Sequence, residues 1–168
     1  MFKPKNSLKQ KDSKVIKEFV IANSQTVTRG DAVQIDGDGF VIPAGTSGAI
    51  LGIVNDIITE RGTPVVTDGT TGAELGSYNG TYTTASDNET VAKVRVQVNL
   101  SSEDIYSAEL DAAAGTTAGS DEIGATFALA DEDVLDESSV NTGTQFISLG
   151  ADPDDSARIL VKINSALF

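Results

Sequence analysis

The chain has 168 residues, of which 39% are hydrophobic, and this length suits one folded domain with a substantial core. It contains no histidine and no cysteine, which excludes disulfide bonds and thiolate metal sites and removes the commonest general base and the strongest nucleophile at neutral pH. No apolar run reaches the roughly 18 residues that cross a bilayer, and the net charge of −13 disfavours nucleic-acid binding. Because histidine and cysteine are both absent, we expect a non-enzymatic protein without a cofactor.

The charge is unevenly distributed along the chain. Six lysines and one aspartate in the first 17 residues give +5, whereas the remaining 151 residues hold 6 basic and 24 acidic groups, a net of −18. The lysines are Lys3, Lys5, Lys9, Lys11, Lys14 and Lys17. Residues 1–14 lack an apolar period, which predicts a flexible basic arm before a single β-rich domain over 15–168. A solvated tail without a binding role is the alternative.

From residue 15 onward, short β-branched runs alternate with turns that contain Gly, Asp or Pro. This texture predicts strands over 15–21, 32–35, 40–42, 50–54, 64–67 and 78–84. The clearest strand lies within 90–100, where Val94, Val96, Val98 and Leu100 alternate with polar residues. At the end of the chain, Ile159, Val161 and Ile163 share the two-residue period and predict a last strand.

One segment between these two strands resembles the start of a helix. Ser101 to Asp104 combine a capping residue with first-turn acids, which predicts one short helix over 105–114. The stretch 116–155 is rich in Gly, Ser, Thr and acids, and we predict strands or loops over 126–129 and 145–149. Residues 101–155 could form an added lobe of the same domain.

Strands spaced by about 8 to 12 residues with Gly-rich turns favour antiparallel pairing over βαβ units. The predicted fold is therefore mainly β, an antiparallel β-barrel or sandwich with one short helix and an extended N-terminal arm.

Acid clusters are the candidate metal ligands in this sequence. They comprise Asp36 and Asp38, then 131–133, 136–137, and Asp152, Asp154 and Asp155. None continues into a complete calcium-binding loop, so we predict ordinary turns and no metal, with a bound cation as the alternative. Residues 87–89 are predicted to form a hairpin tip. Tyr78 and Tyr82 would share one strand face, which favours packing in a sheet over the alternative of a sugar platform.

Several segments carry a family resemblance. The sequence NSQTVTRGDAV at 23–33, followed by GFVIPAG at 39–45 and GIV at 52–54, resembles the opening of bacteriophage capsid decoration (cement) proteins of the β-barrel or β-tulip type. The later segments DVLDESS at 133–139, GADP at 150–153 and RILVKI at 158–163 are similar to the end of phage structural proteins. The acidic stretch 116–155 is longer than in the smallest such proteins.

The resemblance implies a virion protein that is made in the host cytoplasm and binds the outer capsid surface, commonly as a homotrimer, across junctions of the major capsid protein. We expect the six lysines to contact acidic capsid surface. We expect the segment 15–21, with Val15, Ile16, Phe19, Val20 and Ile21, to add to a sheet edge of a neighbouring subunit. The alternatives are a head-fibre, tail or baseplate component, and a trimeric nucleotide hydrolase that uses a carboxylate-held divalent ion.

Overall fold

The computed structural model describes residues 2–7, 15–65, 81–112 and 122–164. Their elements, in chain order, are β1 (Lys3–Ser7), β2 (Ile16–Val20), β3 (Thr26–Thr28), β4 (Ala32–Ile35), β5 (Val41–Pro43), β6 (Gly52–Thr59), β7 (Thr81–Thr83), α1 (Asn88–Val91), β8 (Val94–Asn99), β9 (Asp104–Leu110), β10 (Thr126–Phe127), β11 (Leu129–Asp131), β12 (Val134–Leu135), a single 3₁₀ turn (Glu137–Ser139), β13 (Phe146–Ala151) and β14 (Arg158–Ile163). The predicted mainly β fold is confirmed.

The five-stranded sheet has the order β2-β8-β6-β4-β5, with every neighbouring pair antiparallel. In β8, Val94, Val96 and Val98 are buried, so the predicted two-residue alternation is confirmed. The two edge strands approach each other where Ile21 bridges Val41. This contact curls the sheet into a nearly closed barrel.

The seven-stranded sheet has the order β10-β13-β14-β9-β12-β11, and β1 also pairs with β9. Only Ala128 separates β10 from β11, so one continuous segment pairs with β13 at one end of the sheet and with β12 at the other. This sheet therefore also curls towards closure. Gly143 lies against the backbone of Phe127 and Ala128, where a Cβ atom would overlap with both residues.

Strands β4 and β6 lie between two hydrophobic cores. Their side chains alternate, because successive residues of a strand point to opposite faces. Ala32 and Ile53 belong to the core under the seven-stranded sheet, whereas Val33 and Val54 belong to the core of the five-stranded barrel. Strands β4 and β6 of the five-stranded barrel thus contribute side chains to both cores, and a turn before β4 lies where the two cores meet.

A short two-stranded ribbon of β3 and β7 accompanies the five-stranded barrel. Val27 and Tyr82 point into the barrel core. On the other face, threonine hydroxyls are hydrogen-bonded across the ribbon, Thr26 to Thr83 at 3.1 Å and Thr28 to Thr81 at 2.9 Å. The burial of Tyr82 agrees with a packing role, while Tyr78 lies outside the described residues.

The helix predicted over 105–114 is wrong, because residues 104–110 form β9. Tyr106, Ala108 and Leu110 are buried in alternation, and Arg158 reaches across from β14 to Glu109 at 3.1 Å. The capping signal at Ser101 serves a turn instead, since its Oγ accepts the N–H of Glu103 at 3.3 Å. The α-helix found in the described residues is α1, at the position predicted as a hairpin tip.

The prediction of a flexible arm over 1–14 is wrong for residues 2–7. Phe2 is fully buried and residues 3–7 form β1, antiparallel to β9. The physical reason is that one aromatic anchor and the open side of β9 together compensate for the lack of an apolar period. Residues 8–14 lie outside the described residues.

In the described part of the chain, no helix has the length and apolarity that a bilayer crossing requires.

Candidate functional site

The outer edge of β2 is the candidate binding site. The N–H of Leu100 donates to the carbonyl of Val15 at 2.9 Å, so Val15 forms a hydrogen-bonded pair with the strand that contains β8. In an antiparallel ladder such pairs alternate. The backbone groups of Lys17 and Phe19 therefore face β8, whereas those of Ile16, Glu18 and Val20 point away from it.

The far end of β2 is already covered. The N–H of Ala22 donates to the carbonyl of Val41 at 2.9 Å, on the same side as the outward groups of Ile16, Glu18 and Val20. Strand β5 begins only at Val41. The parallel bridge between Ile21 and Val41 also pairs the carbonyl of Val20 with the N–H of Val41. Over 16–19, no strand among the described residues pairs with this side of β2. An unpaired row of this kind is a template for strand addition.

The side chains of the predicted edge differ in exposure. Val15 is 50% exposed and Ile16 is 40% exposed, which is high for large apolar residues. Phe19 and Val20 are half-buried, and Phe19 packs against the barrel core. Ile21 is wholly buried and bridged to Val41, so its place in the predicted edge is wrong. The usable edge extends from Val15 to Phe19.

The predicted basic residues lie on two different sheets. Lys3 is exposed on β1, which belongs to the seven-stranded sheet, and Lys17 is exposed on β2, which belongs to the five-stranded sheet. Lys5 lies in β1 where the register with β9 shifts. The structure does not describe Lys9, Lys11 and Lys14. Their contribution to a binding surface stays a prediction.

The acid clusters stabilise turns. Asp36 Oδ1 accepts the N–H groups of Asp38 and Phe40 at 3.0 and 2.8 Å, and Asp152 Oδ1 accepts that of Asp154 at 3.0 Å. Asp136 accepts from both the N–H and the hydroxyl of Ser138. Within the described ranges, no group of three or more acidic side chains is placed to hold a metal ion.

Asn88 is a buried residue whose side chain connects two strands through hydrogen bonds to their backbone, a role that the sequence did not predict. Its Nδ2 donates to the carbonyls of Ile21 and Val94 at 2.6 and 3.1 Å, and its Oδ1 accepts the N–H of Val94 at 3.0 Å. The next residue, Glu89, exchanges two hydrogen bonds of 2.8 Å with Asn23. These contacts fix the end of β2, so they help to position the candidate edge.

A second buried polar group lies where the chain passes between the sheets. Asn99 Nδ2 donates to Asp104 and to the hydroxyl of Tyr106, the latter at 3.0 Å. Burial raises the pKa of Tyr106, with a further rise from the Asp104 charge. Two residues on β9 and one on β8 form this buried cluster, and their positions in the sequence did not predict it.

Asp31 is a buried carboxyl group in the turn before β4. Its pKa is raised from 3.8 to about 7, mainly by burial and also by the charges of Asp133 and Asp131, against the hydrogen bond from the N–H of Thr28 and the N-terminal amino group, which lower it. The sequence pattern predicted Asp31 only as a turn residue.

Comparisons of the chain with protein-family models, curated proteins and solved structures found no match.

Proposed function

We propose that the chain is a structural virion protein that binds the outer surface of a phage capsid, where the β2 edge adds to a β-sheet of the major capsid protein. The observation that carries the proposal is the unpaired outer edge of β2. The backbone groups of Ile16 and Glu18 face outward without a strand partner, and the exposed side chains of Val15 and Ile16 lie at the same edge. Strand addition would give these backbone groups hydrogen-bond partners and would bury these apolar side chains.

Charge supports the same mode of binding. The edge directly follows the lysine-rich segment, so apolar contact, main-chain hydrogen bonding and positive charge are close together in the chain. The remainder carries a net charge of −18, which favours solubility on a solvent-facing surface and disfavours contact with nucleic acid. The resemblance of 23–33, 39–45 and 52–54 to decoration proteins supports the same proposal.

The described residues give less support to the hydrolase alternative. Their acid clusters accept backbone N–H groups within turns, and no group of three or more acids is placed to hold a metal ion. A binding module needs no such convergence. Its affinity comes from an exposed edge and from surface charge.

The edge is tested by one backbone change with a matched control. Glu18→Pro removes an outward N–H and leaves the bonds to β8 in place, because proline is tolerated on an edge strand when its nitrogen faces solvent. Glu18→Ala, like Glu18→Pro, removes the 3.8 Å ion pair between Glu18 and Arg95, but it keeps the backbone N–H. Co-sedimentation with capsids of the phage that encodes the chain should show binding weakened by about tenfold or more for Glu18→Pro only. Equal binding of the two variants would reject strand addition.

The basic segment is tested separately. Replacing Lys9, Lys11 and Lys14 by serine should weaken capsid binding, and replacing them by arginine should retain it, with a difference that shrinks as salt increases. Electron microscopy and quantitative mass spectrometry of the particles then test the location. A decoration protein should be present in hundreds of copies on the shell, whereas a low copy number at the tail would favour a tail or baseplate component.

A further inference from the structure

The turn from Thr28 to Ala32 connects three parts of the molecule through backbone hydrogen bonds. Phe2 donates its N–H to the carbonyl of Gly30 at 3.0 Å. Gly30 and Asp31 exchange bonds of 2.9 Å with Val54 on β6, and Ala32 donates to the carbonyl of Glu132 at 2.7 Å. The N-terminal strand, the five-stranded barrel and the β11–β12 turn of the seven-stranded sheet therefore meet at this one turn.

The side chain of Asp31 lies inside this junction. The residue is 3% exposed, and its Oδ2 accepts the N–H of Thr28 at 2.6 Å. The hydrogen bond fixes the turn internally. A buried carboxyl group at such a position is stable when neutral and unfavourable when ionised, because the interior solvates a charge poorly.

The charged groups around Asp31 do not favour its ionised form on balance. From the β11–β12 turn, Asp131 and Asp133 raise its pKa, and the N-terminal amino group acts in the opposite direction. Arg29 is adjacent in the turn, but its guanidinium is directed to Asp56 on β6, with an Nε to Oδ1 distance of 2.7 Å. Burial is the largest contribution, and the resulting pKa of about 7 lies in the physiological range.

We propose that Asp31 is a proton-controlled latch that holds the N-terminal strand, the five-stranded barrel and the seven-stranded sheet together when it is neutral and loosens their junction when it ionises. Ionisation places a negative charge in a buried turn beside two other carboxylates. Opening the turn to water relieves this penalty. It also breaks the bonds from Phe2 to Gly30 and from Ala32 to Glu132. The latch is independent of which partner the β2 edge binds.

Amide hydrogen exchange of the full chain between pH 5 and pH 8 tests the latch, with rates corrected for intrinsic exchange. Protection of the Phe2 and Ala32 amides should fall by about tenfold or more over this range, while amides in the middle of β8 stay protected. Asp31→Asn should abolish the fall. Asp38→Asn, on an exposed turn, serves as the control and should retain it.

A second variant covers the case in which Asp31→Asn does not fold. Asp131→Asn combined with Asp133→Asn removes two charges that raise the Asp31 pKa, so the midpoint of the loss of protection should move to lower pH. The Asp31 carboxyl can be followed directly by carbon NMR. Unchanged protection in the wild-type chain, the same fall in Asp31→Asn, or an unmoved midpoint in the double variant would overturn the proposal.

Discussion

Phe2 stacks on Phe146 with ring centroids 4.8 Å apart and ring planes 14° from parallel. The same Phe2 ring meets Tyr106 edge-on at 6.3 Å. The first described residue of the chain is thus part of the core under the seven-stranded sheet. The basic N-terminal segment is consequently anchored at its beginning and continues into β1.

Phe2→Ala is expected to destabilise the protein by about 3 kcal/mol or more, because it removes a buried aromatic ring and leaves a cavity between Phe146 and Tyr106. Urea unfolding followed by circular dichroism measures the change. Lys3→Ala, on an exposed position of β1, is the control and should stay within about 0.5 kcal/mol of wild type. Equal stability of the two variants would mean that the N-terminal anchor contributes nothing to folding.

Asp31→Asn should change how stability depends on pH. Between pH 3.8 and about 7 the folded state retains a proton that the unfolded state has released, so the free energy of unfolding of the wild-type chain falls as pH rises through this interval. The shift of the pKa from 3.8 to about 7 corresponds to a loss of at most about 4 kcal/mol. An asparagine can still accept the N–H of Thr28 but has no charge to bury.

The gap between Asp31→Asn and wild type should therefore widen from pH 4 to pH 8, with the variant the more stable at the upper end. Urea titrations at four pH values provide the measurement, and Asp38→Asn should follow the wild-type curve. A constant gap across this range would show that Asp31 has an ordinary pKa in the folded protein.

Gly143→Ala should be strongly destabilising, by about 3 kcal/mol or more, because its Cβ would overlap with the backbone of Phe127 and Ala128. These residues connect β10 to β11, so neither can move without disturbing the pairing on both sides. Gly37→Ala is the matched control, since a Cβ there meets no atom within 4 Å. Thermal unfolding should separate the two variants clearly, and similar melting temperatures would refute the close packing.

Asn88→Ala should cost about 2 to 4 kcal/mol, because it leaves the carbonyls of Ile21 and Val94 and the N–H of Val94 without their partner in a buried place. Asp87→Ala changes an exposed neighbour whose side chain makes no capping hydrogen bond to α1. Chemical denaturation of both variants is the test. If Asn88→Ala proved as mild as Asp87→Ala, water would be replacing the amide.

The sequence by itself determined the fold class and most strands. Alternation at Val94, Val96 and Val98, and again at Ile159, Val161 and Ile163, is a local property that each strand carries in its own residues. The same locality explains the failure at 104–110. The acids and serines of 101–104 imitate a helix start, but strand partners on both sides of β9 come from distant parts of the chain.

Only the tertiary structure decided which residues form the candidate sites. Whether Ile16 is exposed and Ile21 buried depends on where β5 meets β2, and whether Asp31 is desolvated depends on β6, the β11–β12 turn and Phe2. Burial and charge environment are sums over neighbours that lie far away in sequence. A two-residue period records the faces of a strand, but it contains no information about which edge stays open or which carboxyl group is enclosed.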